Sequence, residues 1–190
     1  MDLTITFTGR TPLVLHNPRL ADPMDPIVRA IAEINAKGSK KADADHLEVG
    51  RLEWEGALYL DAEGRLALPA WNLVACVREA AGLSRKGLAV VRALAPKHES
   101  YLIDIGGKLK RTDANTWRTS IVNSGRSGGR IIRTRPRFHD WSIVLDAWLA
   151  EDELSLRDLK AAVDRAGRLV GLGDARKLGY GRFTPTVVTE

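Results

Sequence analysis

Leu3, Ile5 and Phe7 alternate with Thr4, Thr6 and Thr8 at the start of the chain. A period of two in β-forming residues predicts a strand with one buried face. Gly9-Arg10-Thr11-Pro12 interrupts it and Leu13-Val14-Leu15 resumes it, so a first strand is expected over residues 2–15. Asp25 followed by Pro26 marks a helix start, a carboxylate cap and then proline at the first helical position. Ile27, Val28, Ile31 and Ile34 give that helix one apolar face. Residues 42–55 predict a second, more polar helix. Residues 57–60 and 65–68 flank Asp61-Ala62-Glu63-Gly64 and read as a hairpin. Leu73, Cys76, Val77 and Ala80 follow helical spacing over 72–81. Residues 88–94 are apolar without a clear period and take the place of a strand. Further strands are expected at 101–105, 117–122 and 130–135. Residues 141–149 are apolar on much of both faces, which predicts a central strand buried on both sides. Ser155 and Asp158 open a helix in capping-box fashion, and Leu156, Leu159, Ala162, Val163 and Ala166 carry its apolar face. A last strand is expected over 180–188, with Pro185 marking an edge.

Set aside two insertions, 17–69 and 95–139, and the order is strand, helix, strand, strand, helix, strand. The six elements lie near 2–15, 71–81, 88–94, 141–149, 156–170 and 180–188. This order predicts an α+β, ferredoxin-like (RRM-like) core. At 190 residues the chain is expected to be one domain, 1–190, with the first insertion helical plus a hairpin and the second a basic finger. Cys76 is the one cysteine, which excludes an internal disulfide framework and suits a reducing cytoplasm. It falls on an apolar helix face and reads as core. No secretory leader is recognised and no apolar run has the length a bilayer requires, so a cytoplasmic chain with no membrane partner is expected.

Charge sharpens this picture. The formal charge is +5. Between 105 and 137 stand Lys108, Lys110, Arg111, Arg118, Arg126, Arg130, Arg133, Arg135 and Arg137, with Asp113 the one acid. That segment carries +8, so the other residues sum to −3. A block of positive charge on a slightly acidic body is what phosphate neutralisation requires, although it also describes a solvated face. Residues 124–129, glycine-rich with Arg126 among them, read as a flexible tip that orders on a partner. Arg133 and Arg135 share a strand face, and Arg137 continues it after Pro136.

The stretch Gly171-Leu172-Gly173-Asp174-Ala175-Arg176-Lys177-Leu178-Gly179-Tyr180-Gly181 carries two Gly-x-Gly pairs five residues apart. Such a loop is shaped by its backbone and can aim N–H groups at an anion; a helix C-cap followed by a glycine turn is the plainer alternative. His16-Asn17, with Arg19 just beyond, follows the first strand and is placed to face a ligand. The four histidines and single cysteine lack metal-ligand spacing, and no Gly-Lys-Ser/Thr follows a glycine run. Neither a metal nor a cofactor is expected.

These residues resemble the RAMP superfamily of CRISPR-associated proteins. The loop is similar to that family's G-h-G-x5-G-h-G signature, with Leu172 and Tyr180 at the hydrophobic positions and Arg176 and Lys177 supplying the basic residue. Its place between the second helix and last strand of a ferredoxin-like unit is also the family's. Leu68-Pro69-Ala70-Trp71-Asn72-Leu73-Val74-Ala75-Cys76-Val77-Arg78-Glu79 resembles the strand-proline-helix segment of RAMP backbone subunits, but departs from it in lacking the Gly-Ser-Ser run. Asp25-Pro26-Ile27-Val28-Arg29 is similar to a stretch of target-cleaving backbone subunits. The pattern also resembles phage and prophage proteins of this length.

The resemblance implies RNA or single-stranded nucleic acid held along a basic groove by subunits stacked as a homo-oligomer or filament, with CRISPR or phage recombination and replication proteins as partners. The expected function is sequence-tolerant binding of single-stranded RNA or DNA. The loop residues Gly171, Gly173, Arg176, Lys177, Gly179, Tyr180 and Gly181 would contribute, as would the basic block and His16, Asn17 and Arg19. Trp117 is a candidate for stacking on a base. Two alternatives stand beside this. One is a metal-independent endoribonuclease with His16 and Asp25 as candidate catalytic residues, His46, His98 and His139 lying in less informative places. The other is a phage-encoded interaction protein that mimics a CRISPR subunit or sequesters a nucleotide signal.

Overall fold

The computed structural model describes residues 1–122 and 130–189. In chain order it contains β1 (Asp2–Gly9), β2 (Leu13–Val14), α1 (Pro26–Ala36), α2 (Asp43–Gly56), β3 (Ala67–Pro69), α3 (Ala70–Gly82), α4 (Gly87–Ala93), β4 (Leu94–Pro96) and β5 (Ser100–Asp104). There follow β6 (Thr116–Val122), β7 (Arg130–Phe138), β8 (Ser142–Leu149), α5 (Leu156–Arg165), a π-helical turn at Ala166–Val170, and β9 (Phe183–Thr189). The fold is mixed α/β with antiparallel strand pairing. It divides into two compact units. The first comprises Met1–Leu13, Tyr59–Leu109 and Phe138–Glu190, and the second Val14–Leu58 and Lys110–Arg137.

The first unit is built on a sheet of order β3-β5-β8-β1-β9, with β4 also paired to β8. The threonine alternation of β1 places Leu3, Ile5 and Phe7 on the inner face, none more than 1% exposed. Ile5 sits opposite Leu145 on one side and Val187 on the other. Helix α3 buries Leu73, Cys76, Val77 and Ala80, the face its spacing predicts. Helix α5 starts at Ser155, whose hydroxyl accepts the Asp158 N–H, and buries Leu159, Ala162 and Val163. Phe7 and Phe183 close that core edge to face, their ring centroids 5.0 Å apart.

Several expectations are corrected in this unit. The apolar run at 88–94 is helix α4 followed by the short β4. Its buried residues Val90 and Ala93 lie three apart, a helical spacing that the run of small and β-branched residues hides. Strand β8 is central but covered on one face only. Ile143, Leu145, Ala147 and Leu149 are buried, whereas Val144 and Trp148 remain about half exposed, at 47% and 48%. Residues 57–68 do not form an extended hairpin: Leu60 and Leu66 make a single bridge, and β3 pairs with β5 instead. Asp61 holds that turn by accepting the Glu63 and Arg65 amides. The first strand ends at Gly9, and residues 13–14 join a different sheet.

In the second unit, α1 begins at Asp25, whose carboxylate accepts the Ile27 N–H at 2.8 Å. Helix α2 buries Leu52, Glu53 and Trp54, and the Trp54 indole donates to the Asn115 carbonyl at 3.0 Å. Strands β7 and β6 form a ladder in the three-stranded sheet of order β2-β7-β6. No residue of α1 is buried despite its apolar face.

Candidate nucleic-acid interface

In the first unit the glycine stretch links the π-helical turn to β9. Gly171, Gly173, Gly179 and Gly181 all have positive φ, and so does Ala175 at +54°. The two Gly-x-Gly arms are tied to each other: the Leu172 N–H donates to the Gly181 carbonyl at 2.9 Å, and the Gly181 N–H to the Pro12 carbonyl at 2.8 Å. The Gly171 and Gly179 amides also donate inside the protein, to Ala166 and Arg176. Three of the four glycine amides are therefore engaged, and an approaching anion would meet other donors.

Those donors line two clefts that share Arg176, Glu79 and Gly173, with volumes of about 270 and 420 Å³. Arg176 donates to Glu79 on α3 at 2.7 Å, so its charge is already balanced by an acid 97 residues away. Lys177 is exposed. Arg182 lines the larger cleft and donates through Nη2 to the Arg176 carbonyl at 3.3 Å, while its buried Nη1 has no hydrogen-bond partner among the described residues. The smaller cleft is bordered by Trp71, 62% exposed at the start of α3, and by Asn72, whose buried Oδ1 likewise has no hydrogen-bond partner among them. Arg182, Trp71, Asn72 and Glu79 were not singled out from sequence. A basic residue directly after the last glycine was the available signal for Arg182. Cys76 is 3% exposed and its thiol donates to the Gly171 carbonyl at 3.2 Å. Burial pushes that thiol up to about 12, which fits a core residue rather than a nucleophile.

In the second unit β6 and β7 carry most of the described basic block. Trp117 lies opposite Arg135 and Thr119 opposite Arg133. Arg133, Arg135 and Arg137 alternate with the buried Thr134, Pro136 and Phe138, so the three share one face. Lys110, Arg111 and Arg118 are exposed and form no ion pair among the described residues, and the same holds for Lys108 in the first unit. Arg126 and the side chain of Arg130 lie outside the described residues, as does the glycine-rich tip at 124–129.

The face of β7 is organised by Glu53, a residue that sequence reasoning passed over. At 6% exposure it accepts from Arg133 Nη1 and from the Thr134 amide, both at 2.8 Å. An acid between Leu52 and Trp54 on an otherwise apolar helix face was its sequence signal. His16 is exposed at one side. Partial burial of the ring lowers its pKa to about 4, with Arg135 and Arg133 adding to the effect, so the imidazole is neutral near pH 7. Burial also lowers the pKa of Arg135.

Three other candidates serve local structure. Asn17 accepts the Arg19 amide and donates to the Leu58 carbonyl at 2.9 Å. Arg19 is ion-paired to Asp25 at 2.7 Å. Asp25 caps α1, and although burial opposes ionisation, hydrogen bonds from Arg19 and Ile27 hold its carboxyl below the ordinary range. Among the described residues no cluster of three His, Cys, Asp or Glu is placed to hold a metal. No helix among them is long and apolar enough to cross a membrane.

No family model matches the sequence, and no curated protein matches it. Two solved structures align with the chain at 10% identity. One is a chain of the type III-B Cmr-beta complex bound to cognate target RNA, with a TM-score of 0.48 over 99% of this chain and 60% of that one. The chain thus spans 60% of the length of that protein. The other is Cmr6 from Pyrococcus furiosus, with a TM-score of 0.38 over 100% of this chain and 98% of that one. Alignments at these scores carry no argument about ligand or activity.

Proposed function

We propose that the chain is a RAMP-like protein that binds single-stranded RNA or DNA through charge and backbone shape, in copies stacked along the strand. The observation that carries this reading is the basic surface of the β6–β7 ladder and of the segment leading into it. Lys110, Arg111 and Arg118 stand exposed without ion pairs among the described residues, and Arg133, Arg135 and Arg137 share a strand face. Such an array repels itself, and a polyanion relieves the repulsion while releasing its own counterions. The clefts beside the glycine loop add Lys177 and Arg182 Nη1, which has no hydrogen-bond partner among the described residues. We read the chain as one domain with two insertions, narrower than the expected 17–69 and 95–139 because β3 and β5 are paired into the main sheet. In this reading β1, α3, β5, β8, α5 and β9 would be the six elements of a ferredoxin-like core, with β5 in place of the expected strand at 88–94.

The test is fluorescence anisotropy with labelled single-stranded RNA, single-stranded DNA and duplex across a salt series. Contacts to four to seven phosphates give a slope of about −3 to −5 in log affinity against log salt. Sedimentation should show complexes that grow with strand length. Salt-insensitive binding, or no binding to any oligonucleotide, overturns the reading. In the second case, tight capture of a mononucleotide or of a CRISPR effector subunit would favour the interaction-protein alternative.

Metal-independent RNA cleavage has one observation in its favour. His16 lines one cavity with Arg133 and Arg135, cations suited to stabilising a phosphorane, although a pKa of about 4 makes its imidazole a weak base for a 2′-hydroxyl near pH 7. Asp25 is committed to its cap and to Arg19, so no acid for the leaving oxygen is supplied by that residue. Cleavage unaffected by His16→Ala removes the assignment.

A further inference from the structure

Within the second unit lies a cavity of about 300 Å³ whose two walls differ in chemistry. One wall is aliphatic, formed by Leu20, Val28 and Ile31. Val28 and Ile31 belong to the apolar face of α1, a helix that buries none of its residues. The rest of the lining is mostly polar, with His16, Glu53, Arg133, Thr134 and Arg135. The volume is at the lower end of the range, roughly 300–1,000 Å³, that holds small ligands, so it suits one heterocycle rather than a chain of them.

The polar wall narrows the choice of heterocycle. Arg135 offers a fork of donors. Glu53 accepts one hydrogen bond at each oxygen, from Arg133 and from Thr134, and each carboxylate oxygen keeps a second lone pair. A guanidinium beside a carboxylate complements the contiguous edge of guanine, where the O6 acceptor adjoins the N1–H and N2–H donors. Adenine presents a donor where guanine presents O6, and uracil lacks the exocyclic amine. The aliphatic wall takes the flat face of a base lifted out of its stack, as single-stranded recognition commonly requires.

We propose that this cavity receives one unstacked guanine of the bound strand, with its face on Val28 and Ile31 and its edge on Arg135 and Glu53. The inference rests on the single-strand reading above and adds a base preference at one register position.

The experiment compares oligo-U with the same strand carrying a single guanine, adenine, inosine or abasic site, by anisotropy on the wild-type protein. Guanine is expected to raise affinity about tenfold over uracil, with inosine losing part of the gain because it lacks N2. Val28→Trp and, separately, Ile31→Trp fill the cavity and should abolish the guanine gain while leaving oligo-U affinity unchanged. Equal affinity for guanine, adenine and the abasic strand overturns the inference and leaves the binding reading standing. If no oligonucleotide binds, guanosine monophosphate is titrated by calorimetry. Its binding would support the cavity and remove the single-strand reading, and its failure to bind would remove both.

Discussion

Two glycines of the loop separate backbone conformation from steric fit. Gly179 and Gly181 have similar positive φ, +87° and +70°. An alanine at either site meets the left-handed penalty of about 1–2 kcal/mol. At Gly179 a Cβ would find nothing within 4 Å, so Gly179→Ala should stop at that figure. At Gly181 the same Cβ would stand 1.9 Å from the Leu172 carbonyl oxygen and 2.9 Å from its nitrogen. Both atoms are backbone and cannot swing aside, so relief requires the two arms to separate. That breaks the Leu172–Gly181 hydrogen bond and strains the Gly181–Pro12 one, each worth about 1 kcal/mol. It also shifts Leu172, which is 1% exposed, out of its packing. Gly181→Ala should therefore cost on the order of 4 kcal/mol, in the range that marks a specific lesion. Urea unfolding followed by far-UV circular dichroism and tryptophan fluorescence gives both values. Equal destabilisation by the two substitutions, or a Gly181→Ala protein within about 1 kcal/mol of wild type, would refute the cross-tied loop.

Glu53→Ala leaves the buried Thr134 amide without its acceptor and Arg133 without its counter-charge. With Arg133 itself 41% exposed, the expected loss is about 2–4 kcal/mol in urea unfolding, below the figure for a fully buried pair. The same variant should bind oligo-U more tightly at low salt, since one cation is released; parallel losses of stability and of oligo-U affinity would contradict this. His16 has a folded pKa of about 4 against about 6.5 unfolded, so between those values the unfolded chain binds more protons. Its contribution to stability is complete above about pH 6.5 and declines as pH falls toward 4, and His16→Ala should flatten that part of the stability profile. Cys76 should resist a thiol-disulfide reagent at pH 8 in the native protein and react fully in urea; prompt native labelling would displace it from the core.

Local periodicity made much of the first unit legible. The α3 face of Leu73, Cys76, Val77 and Ala80 and the threonine alternation of β1 each follow from one period in one segment. What failed was information carried by distant partners. The partner of β3 is β5, more than thirty residues on, and no feature of residues 65–68 specifies it. The exposure of Val144 and Trp148 depends on which face of the sheet the helices cover, which an apolar run does not encode. The site divides in the same way. Positive φ at the loop glycines was readable because glycine itself is the signal. The engagement of their amides, the Arg176–Glu79 pair and the Arg133–Glu53 pair join residues tens of positions apart.

Those non-local pairs change how the basic residues are ranked. Arg176 sits in the loop signature, yet Glu79 already balances it, and the loop's own amides mostly tie its arms together. The loop is therefore better suited to fixing shape than to supplying charge. In the second unit, Glu53 neutralises Arg133 from beneath and fixes the β7 backbone at Thr134. A carboxylate so placed lowers the cost of holding Arg135 partly buried beside another arginine, since at short range opposite charge offsets like charge. The exposed Lys110, Arg111 and Arg118 have no such restraint. Salt-sensitive attraction should then come mainly from the exposed set, and positional discrimination from the restrained set around Glu53.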